Sequence, residues 1–294
     1  MRCFQYRKLP ETFDQDLYIW DVDKTYLQTN FESLRGLIQI FFEYSIDKKS
    51  LPGAKELLLE LRRGKGVLPP LFFISASPVG LKKILEGKFL LDGIQHDGII
   101  LKDYRRLRQL LGKLRIKNNF SYKLLCLLTH RLKMPPCSTE LLFGDDFEQD
   151  ADVYSLYADI LSQKWGEKEL KVRFKSEKLT RREQKKLIEA ALKAQKGTVL
   201  PNVVRKIFIH LVRSKEASAF DRYGDRLVAT YTYAQTAAIL FEMGKISKPG
   251  FRRVANAFDL KYPKDGWILE KSLQNLKDRS LISDQTFEEL ALWK

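Results

Sequence analysis

The chain has 294 residues, 44% of them apolar and 12% aromatic, which is enough to bury one large or two ordinary hydrophobic cores and excludes a disordered chain. Its net charge of +15 favours an anionic partner: nucleic acid, an acidic membrane surface or a phosphorylated substrate. No window approaches the eighteen or so unbroken apolar residues of a membrane span, and the N-terminal stretch has no signal-like apolar core, so a cytoplasmic protein is expected, with peripheral membrane attachment left open. Three cysteines, Cys3, Cys126 and Cys137, have no C-x-x-C spacing and read as reduced thiols.

In chain order, four apolar runs end abruptly in polar residues: "LYIWDVD", "LFFISAS", "GIILKD" and "ELLFGDD". Helix-period stretches such as "PGAKELLLELRR" and "YKLLCLLTHRL" separate them. Short continuous apolar runs alternating with amphipathic helices predict an α/β fold with a parallel sheet covered on both faces. In such sheets ligands bind beyond the carboxyl ends of the strands, where these polar residues fall.

The first run ends in Asp21 and Asp23, like charges one residue apart that repel unless a cation or a division of labour offsets the cost. A capped turn is the plainer reading of D-x-D-x-T, with Asp23 or Thr25 as the cap. After the second run, Ser75 and Ser77 precede Pro78, and their hydroxyls and the free backbone N–H groups can receive phosphate oxygens. The fourth run leads into Asp145, Asp146 and Asp150, hard oxygen donors of the kind Mg2+ prefers. His96, His130 and His210 have no paired spacing and read as packed or solvated side chains.

Beyond these runs, "FESLRGLIQIFFEYS" is apolar almost all round and predicts a buried helix, a partial lid or an interfacial surface. Residues 171–198 carry an excess of Lys and Arg and predict a basic helical connector, followed over 199–294 by an all-helical domain. That last region has a faint 36-residue echo, in which Leu240, Ile246, Ser247 and Phe251 recur as Leu276, Ile282, Ser283 and Phe287; a repeated helix-turn-helix with each Ser as N-cap explains it.

The ordered set D-x-D-x-T, Ser, Lys and acidic G-D cluster resembles the haloacid dehalogenase (HAD) superfamily of aspartate-nucleophile phosphohydrolases. Within it the chain is most similar to the catalytic domain of the actin-patch-associated phosphatidate phosphatase family, through "LPGAKELLLEL", "LKDYRRLRQLLGKL…SYKLL" and "LLFGDDFEQDADVY", over Tyr18 to Leu161. Ala76, Val79 and Asp146 depart from that family's usual Asn, aromatic and Ser.

The resemblance implies a Rossmann-like HAD core over residues 1–170 and an aspartyl-phosphate mechanism. Asp21 would be nucleophile, Asp23 general acid and base, Thr25 the residue fixing the loop, Ser75 (or Ser77) the phosphate ligand and Lys123 (or Lys102) the balancing cation. Mg2+ would be held by Asp21, the Asp23 carbonyl and Asp145, with Asp150 or Asp146 completing the set. Fifty residues from Thr25 to Ser75, and forty-eight from Ser75 to Lys123, leave little or no room for a cap domain, so a large phosphorylated substrate is expected, phosphatidate first and polynucleotide ends second. A non-catalytic scaffold for a phosphorylated or nucleic-acid partner is the reading from another class.

Overall fold

Leu17–Trp20 has no exposed face, and in the computed structural model of the chain it lies in the central strand of a seven-stranded sheet. The structure describes residues 2–4, 6–27, 50–63, 68–103, 119–213, 215–259 and 266–291. The apolar segment 31–45 lies outside the described residues.

The strands are β1 (Arg2–Phe4), β2 (Asp16–Trp20), β3 (Leu71–Pro78), β4 (Gly98–Lys102), β5 (Thr139–Asp145), β6 (Val204–His210) and β7 (Leu227–Thr230), in the order β1-β4-β3-β2-β5-β6-β7. All neighbours are parallel except β1, which runs antiparallel to β4. After the edge strand β1 the chain enters the centre of the sheet in β2, winds outward through β3 and β4, then returns to β5 on the other side of β2. Strand order therefore reverses between β2 and β5, and a crevice opens there at the carboxyl ends.

The described helices are α1 (Ala54–Leu61), α2 (Lys82–Leu91), α3 (Asn119–Arg131), α4 (Asp150–Leu161), α5 (Glu167–Ser176), α6 (Arg181–Lys196), α7 (Tyr233–Glu242), α8 (Lys248–Asp259), α9 (Gly266–Asp278) and α10 (Asp284–Ala291). Side-chain alternation along the strands builds two cores. One face presents Tyr18, Trp20, Phe73, Phe143 and Phe208 to α1, α2 and α7–α10; the other presents Ile19, Ile74, Leu142, Ile207 and Ile209 to α3–α6. Across the first face Trp20 stacks on Phe143 at 4.4 Å and Phe143 on Phe208 at 5.0 Å, a ladder set by the register Trp20↔Phe143↔Phe208. Truncating Trp20 there would cost about 3–5 kcal/mol.

The C-terminal region is not all-helical: β6 and β7 lie within it and extend the same sheet. "VRKIFIH" and "LVAT" are seven and four residues long, and runs so short do not separate strand from buried helix by period. The basic stretch before them is the crossover from β5 to β6. Leu170, Phe174, Leu187, Ile188, Ala191 and Ala194 of α5 and α6 pack into the second core. Thr180 starts α6 through a reciprocal bond pair with Glu183.

The 36-residue echo corresponds to two helix-turn-helix units. Lys245 N–H bonds the Leu240 carbonyl at 2.8 Å and Leu281 N–H the Leu276 carbonyl at 2.9 Å; Ser247 and Ser283 then cap α8 and α10. Gly244 at φ 67° and Ser280 at φ 55° occupy the same left-handed position in each unit.

Candidate active site

Asp21 still belongs to the sheet through its N–H, which bonds the Phe143 carbonyl at 2.9 Å, but its side chain stands beyond the last β2 residue, buried in the crevice. The chain then turns back on itself: Lys24 adopts φ 59°, and Tyr26 and Leu27 N–H both bond the Val22 carbonyl. This turn holds Thr25 under Asp21. The Thr25 hydroxyl lies 3.3 Å from Asp21 Oδ2 and 3.0 Å from Asp145 Oδ2, so its one proton serves either carboxylate in turn. Asp23 points the other way, and its Oδ2 accepts from Ser75 Oγ at 2.9 Å and Ser77 Oγ at 2.6 Å.

Asp145 ends β5, and its Oδ1 accepts the N–H groups of Phe147 (2.6 Å) and Glu148 (3.2 Å). Asp150 opens α4, where the helix dipole favours an acid, and reaches back to accept from Asp145 N–H at 3.3 Å. Gly144 makes this approach possible, since a Cβ there would lie 2.5 Å from Asp150 Oδ2. Lys123, buried on α3, sets its ammonium 3.0 Å from Asp21 Oδ1, 2.8 Å from Glu148 Oε2 and 2.5 Å from Asp150 Oδ1. Asp21, Asp145 and Asp150 bring one oxygen each within 4.8 Å of one another.

Against this geometry the comparison with known families is decisive. The profile described as Phosphatidate phosphatase APP1, catalytic domain, matches residues 17–164. The chain belongs to this family. The matched span opens in β2, closes just beyond α4 and contains every residue of the carboxylate cluster; β6, β7 and α5–α10 lie outside it. No curated protein and no solved structure matches the chain. Membership marks the domain as a phosphatase, a hydrolase of phosphoric monoesters, and no described helix is long and apolar enough to cross a membrane.

The cluster carries more carboxylates than ammonium groups among the described residues. Three carboxylates, Asp21, Glu148 and Asp150, pair with the ammonium of Lys123, Asp145 stands beside Asp21 and Asp150, and buried Asp21 Oδ1 has its ion pair but no hydrogen bond. Burial pushes the Asp21 carboxyl well above the usual range, against the pull of Lys123 and with the push of Asp150, Glu148 and Asp145. Burial and the Asp150 charge likewise take Asp145 up to about 7. Asp150 is raised by burial, with Lys123 opposing. Burial alone would lower Lys123, but Asp150, Asp21 and Glu148 hold its ammonium well above the usual lysine value. Glu148 is pushed up by burial, yet Lys123 keeps it below its ordinary value. Such a set of hard, excess negative oxygens fits a divalent cation with oxygen preference.

The remaining residues singled out by sequence divide. Asp146 does not join the cluster: its Oδ1 accepts the N–H groups of Val212 (2.7 Å) and Arg213 (3.0 Å) in the loop after β6. Lys102 donates to Asn119 Oδ1 at 2.7 Å, and Asn119 in turn to Glu148 at 2.9 Å, while burial lowers the Lys102 ammonium to about 8. Ser75 and Ser77 share one acceptor, so geometry ranks neither above the other.

Sequence reasoning missed Glu148, Asn119 and Tyr233. Glu148 stood in plain view inside "GDDFEQD", but only the fold aims it at Lys123. Tyr233 lies more than two hundred residues from Asp21 in sequence; its hydroxyl bonds the Thr25 carbonyl and its ring stacks on Trp20 and His210, so α7 braces the turn after β2. No local signal could have found it.

Proposed function

We propose that the chain is a Mg2+-dependent phosphatase of the HAD type, acting through an aspartyl-phosphate on a large phosphomonoester, with phosphatidate as first candidate, in the cytoplasm at an anionic membrane surface. The observation that supports it best is the buried Asp21–Asp145–Asp150 triad around Lys123, with a second carboxylate, Asp23, held by serine hydroxyls two residues on.

In this reading Asp21 attacks phosphorus; a new O–P bond forms as the bond to the leaving oxygen breaks. Burial raises the Asp23 carboxyl against the opposing Ser77 and Ser75 hydroxyls, which enlarges its protonated fraction and suits it to protonate the leaving oxygen. The same carboxylate then takes a proton from the water that attacks the aspartyl-phosphate, releasing phosphate and restoring Asp21. Lys123 and Thr25 keep the Asp21 carboxylate aimed, and Ser75 or Ser77 turns its hydroxyl to the phosphoryl group as substrate enters. Asp21, Asp145, Asp150 and the Asp23 carbonyl would hold Mg2+, which when bound would supply positive charge near the phosphoryl group and offset the repulsion among the acids.

Phosphate release from p-nitrophenyl phosphate, dioleoyl phosphatidate in mixed micelles and a 5′-phosphorylated oligonucleotide tests the reading, with Mg2+ or EDTA and with an Asp21→Asn control. Metal-dependent release from phosphatidate, absent in the control, is the expected result. Release from the oligonucleotide alone would move the substrate to nucleic acid, and release that survives Asp21→Asn would refute the mechanism.

A further inference from the structure

Beside the carboxylate cluster, across β5, the carboxyl ends of β5 and β6 open a second cavity of about 390 Å³, within the roughly 300–1,000 Å³ range of ligand pockets. The β5 loop and α4 supply its acids, Asp146, Glu148 and Asp152; the loop after β6 and the short 3-10 helix at Ala217–Tyr223 supply its cations, Arg213, Lys215 and Arg222.

The two charge sets are not equally engaged. Asp146 takes two backbone N–H groups, Glu148 faces Lys123, and Asp152 accepts from Tyr223 Oη at 2.8 Å. Among the described residues none of the three cations has a carboxylate ion partner. Arg213 lies over the Phe147 ring at 4.4 Å and Lys215 over Phe220 at 5.6 Å; Arg222, 4.8 Å from the Tyr223 ring, also donates to Tyr223 Oη at 2.8 Å. Aromatic faces orient a cation without neutralising it, so its charge stays available to an anion.

The pocket is also tied to the reacting centre. Phe147 carries Arg213 on its ring and Lys24 of the nucleophile turn as well, and Asp146 fixes the backbone of Val212 and Arg213 against the end of β5. The acids come from within the family-matched span and the three cations from outside it.

We propose that Arg213, Lys215 and Arg222 form a subsite for a second phosphate group of the substrate molecule whose first phosphate is cleaved at Asp21, with Asp146 as the residue that positions Arg213. This rests on the phosphatase reading above and extends its substrate class to molecules that carry a second phosphate besides the one cleaved. Arg–phosphate pairing is the strong, geometrically specific form of such contacts.

Rates on hexyl phosphate and hexanediol bisphosphate, with Mg2+, test it in the wild-type chain, in Arg213→Gln/Lys215→Gln/Arg222→Gln, and in a control with exposed lysines of the crossover changed, Lys168→Gln/Lys171→Gln/Lys185→Gln. The bisphosphate KM is expected to lie about tenfold or more below that of the monophosphate, after correction for its two equivalent ends. The pocket triple should erase that preference and the lysine control should keep it. A preference absent from the wild type, or equally reduced in both triples, overturns the subsite, while hexyl phosphate turnover leaves the phosphatase reading standing. No turnover of either substrate overturns the phosphatase reading and the subsite with it. Should the triple fold poorly, by its thermal unfolding curve, Arg222→Gln alone is read in the same way, because that side chain is exposed.

Discussion

The crevice between β2 and β5 and the one between β5 and β6 lie side by side on one sheet edge, yet they hold charge in opposite ways. In the first, four acids crowd one lysine with Lys123, Asp21, Asp145 and Asp150 all fully or nearly fully buried. In the second, three exposed cations lie beside aromatic rings, Asp146 Oδ1 takes two backbone N–H groups and Asp152 accepts from Tyr223. Water cannot screen the first set, so its repulsion must be answered by a bound cation or by protons; it does screen the second, so those charges cost little to keep and remain free to recognise an anion. Burial, more than residue type, separates the two charge sets.

The largest effect expected from this contrast is at Lys123. Replacing it by Met leaves buried carboxylates without the ammonium they pair with, and stability should fall by about 3–5 kcal/mol in urea unfolding, with part of the loss recovered in Mg2+. A loss under about 1 kcal/mol would mean the acids are already protonated or solvated.

Metal binding should act next. Mg2+ at a hundredfold excess over its dissociation constant should raise the stability of the wild-type chain by about 2.7 kcal/mol. Asp145→Asn should lose most of that gain, while substitutions in the neighbouring pocket keep it.

Without metal, protons take over. Asp145 is raised from 3.8 to about 7, so the folded state binds a proton that the unfolded state does not; this contribution is fully present below the ordinary value and is lost as pH rises through about 7. In EDTA the wild-type chain should therefore lose stability from about pH 4 to about pH 7 relative to Asp145→Asn and level off above that, and a parallel pH dependence of the two would contradict the assignment. The smallest effect belongs to the exposed pocket: Arg222→Gln should change unfolding stability by less than about 0.5 kcal/mol, and a large loss there would erase the contrast between the two crevices.

Much of the first crevice was legible in sequence because its parts sit at strand ends and strand ends can be read locally. Asp21, Asp23, Asp145 and Asp150 each follow an apolar run, and the 36-residue echo foretold both serine caps, Ser247 and Ser283. What was illegible depends on register between distant segments. Nothing local distinguishes Asp145, which faces the cluster, from its neighbour Asp146, which faces the β6 loop; that choice follows from the alternation of β5 against β6, and β6 itself was read as helix. The same holds for Lys123 and Lys102, which only the fold separates, and for Tyr233, which α7 delivers from the far end of the chain. The second crevice was illegible altogether, because its cations sit in a loop and a 3-10 helix whose place beside the site is decided by two strands too short to announce themselves.

The most direct test of the central claim is chemical trapping of the nucleophile. Enzyme turning over p-nitrophenyl phosphate is quenched in acid, reduced with borohydride and mapped by peptide mass spectrometry. Phosphate carried on Asp21 would yield homoserine at position 21, in amounts that fall when EDTA is present. Turnover with an unmodified Asp21, or a trapped residue elsewhere in the chain, would contradict the mechanism.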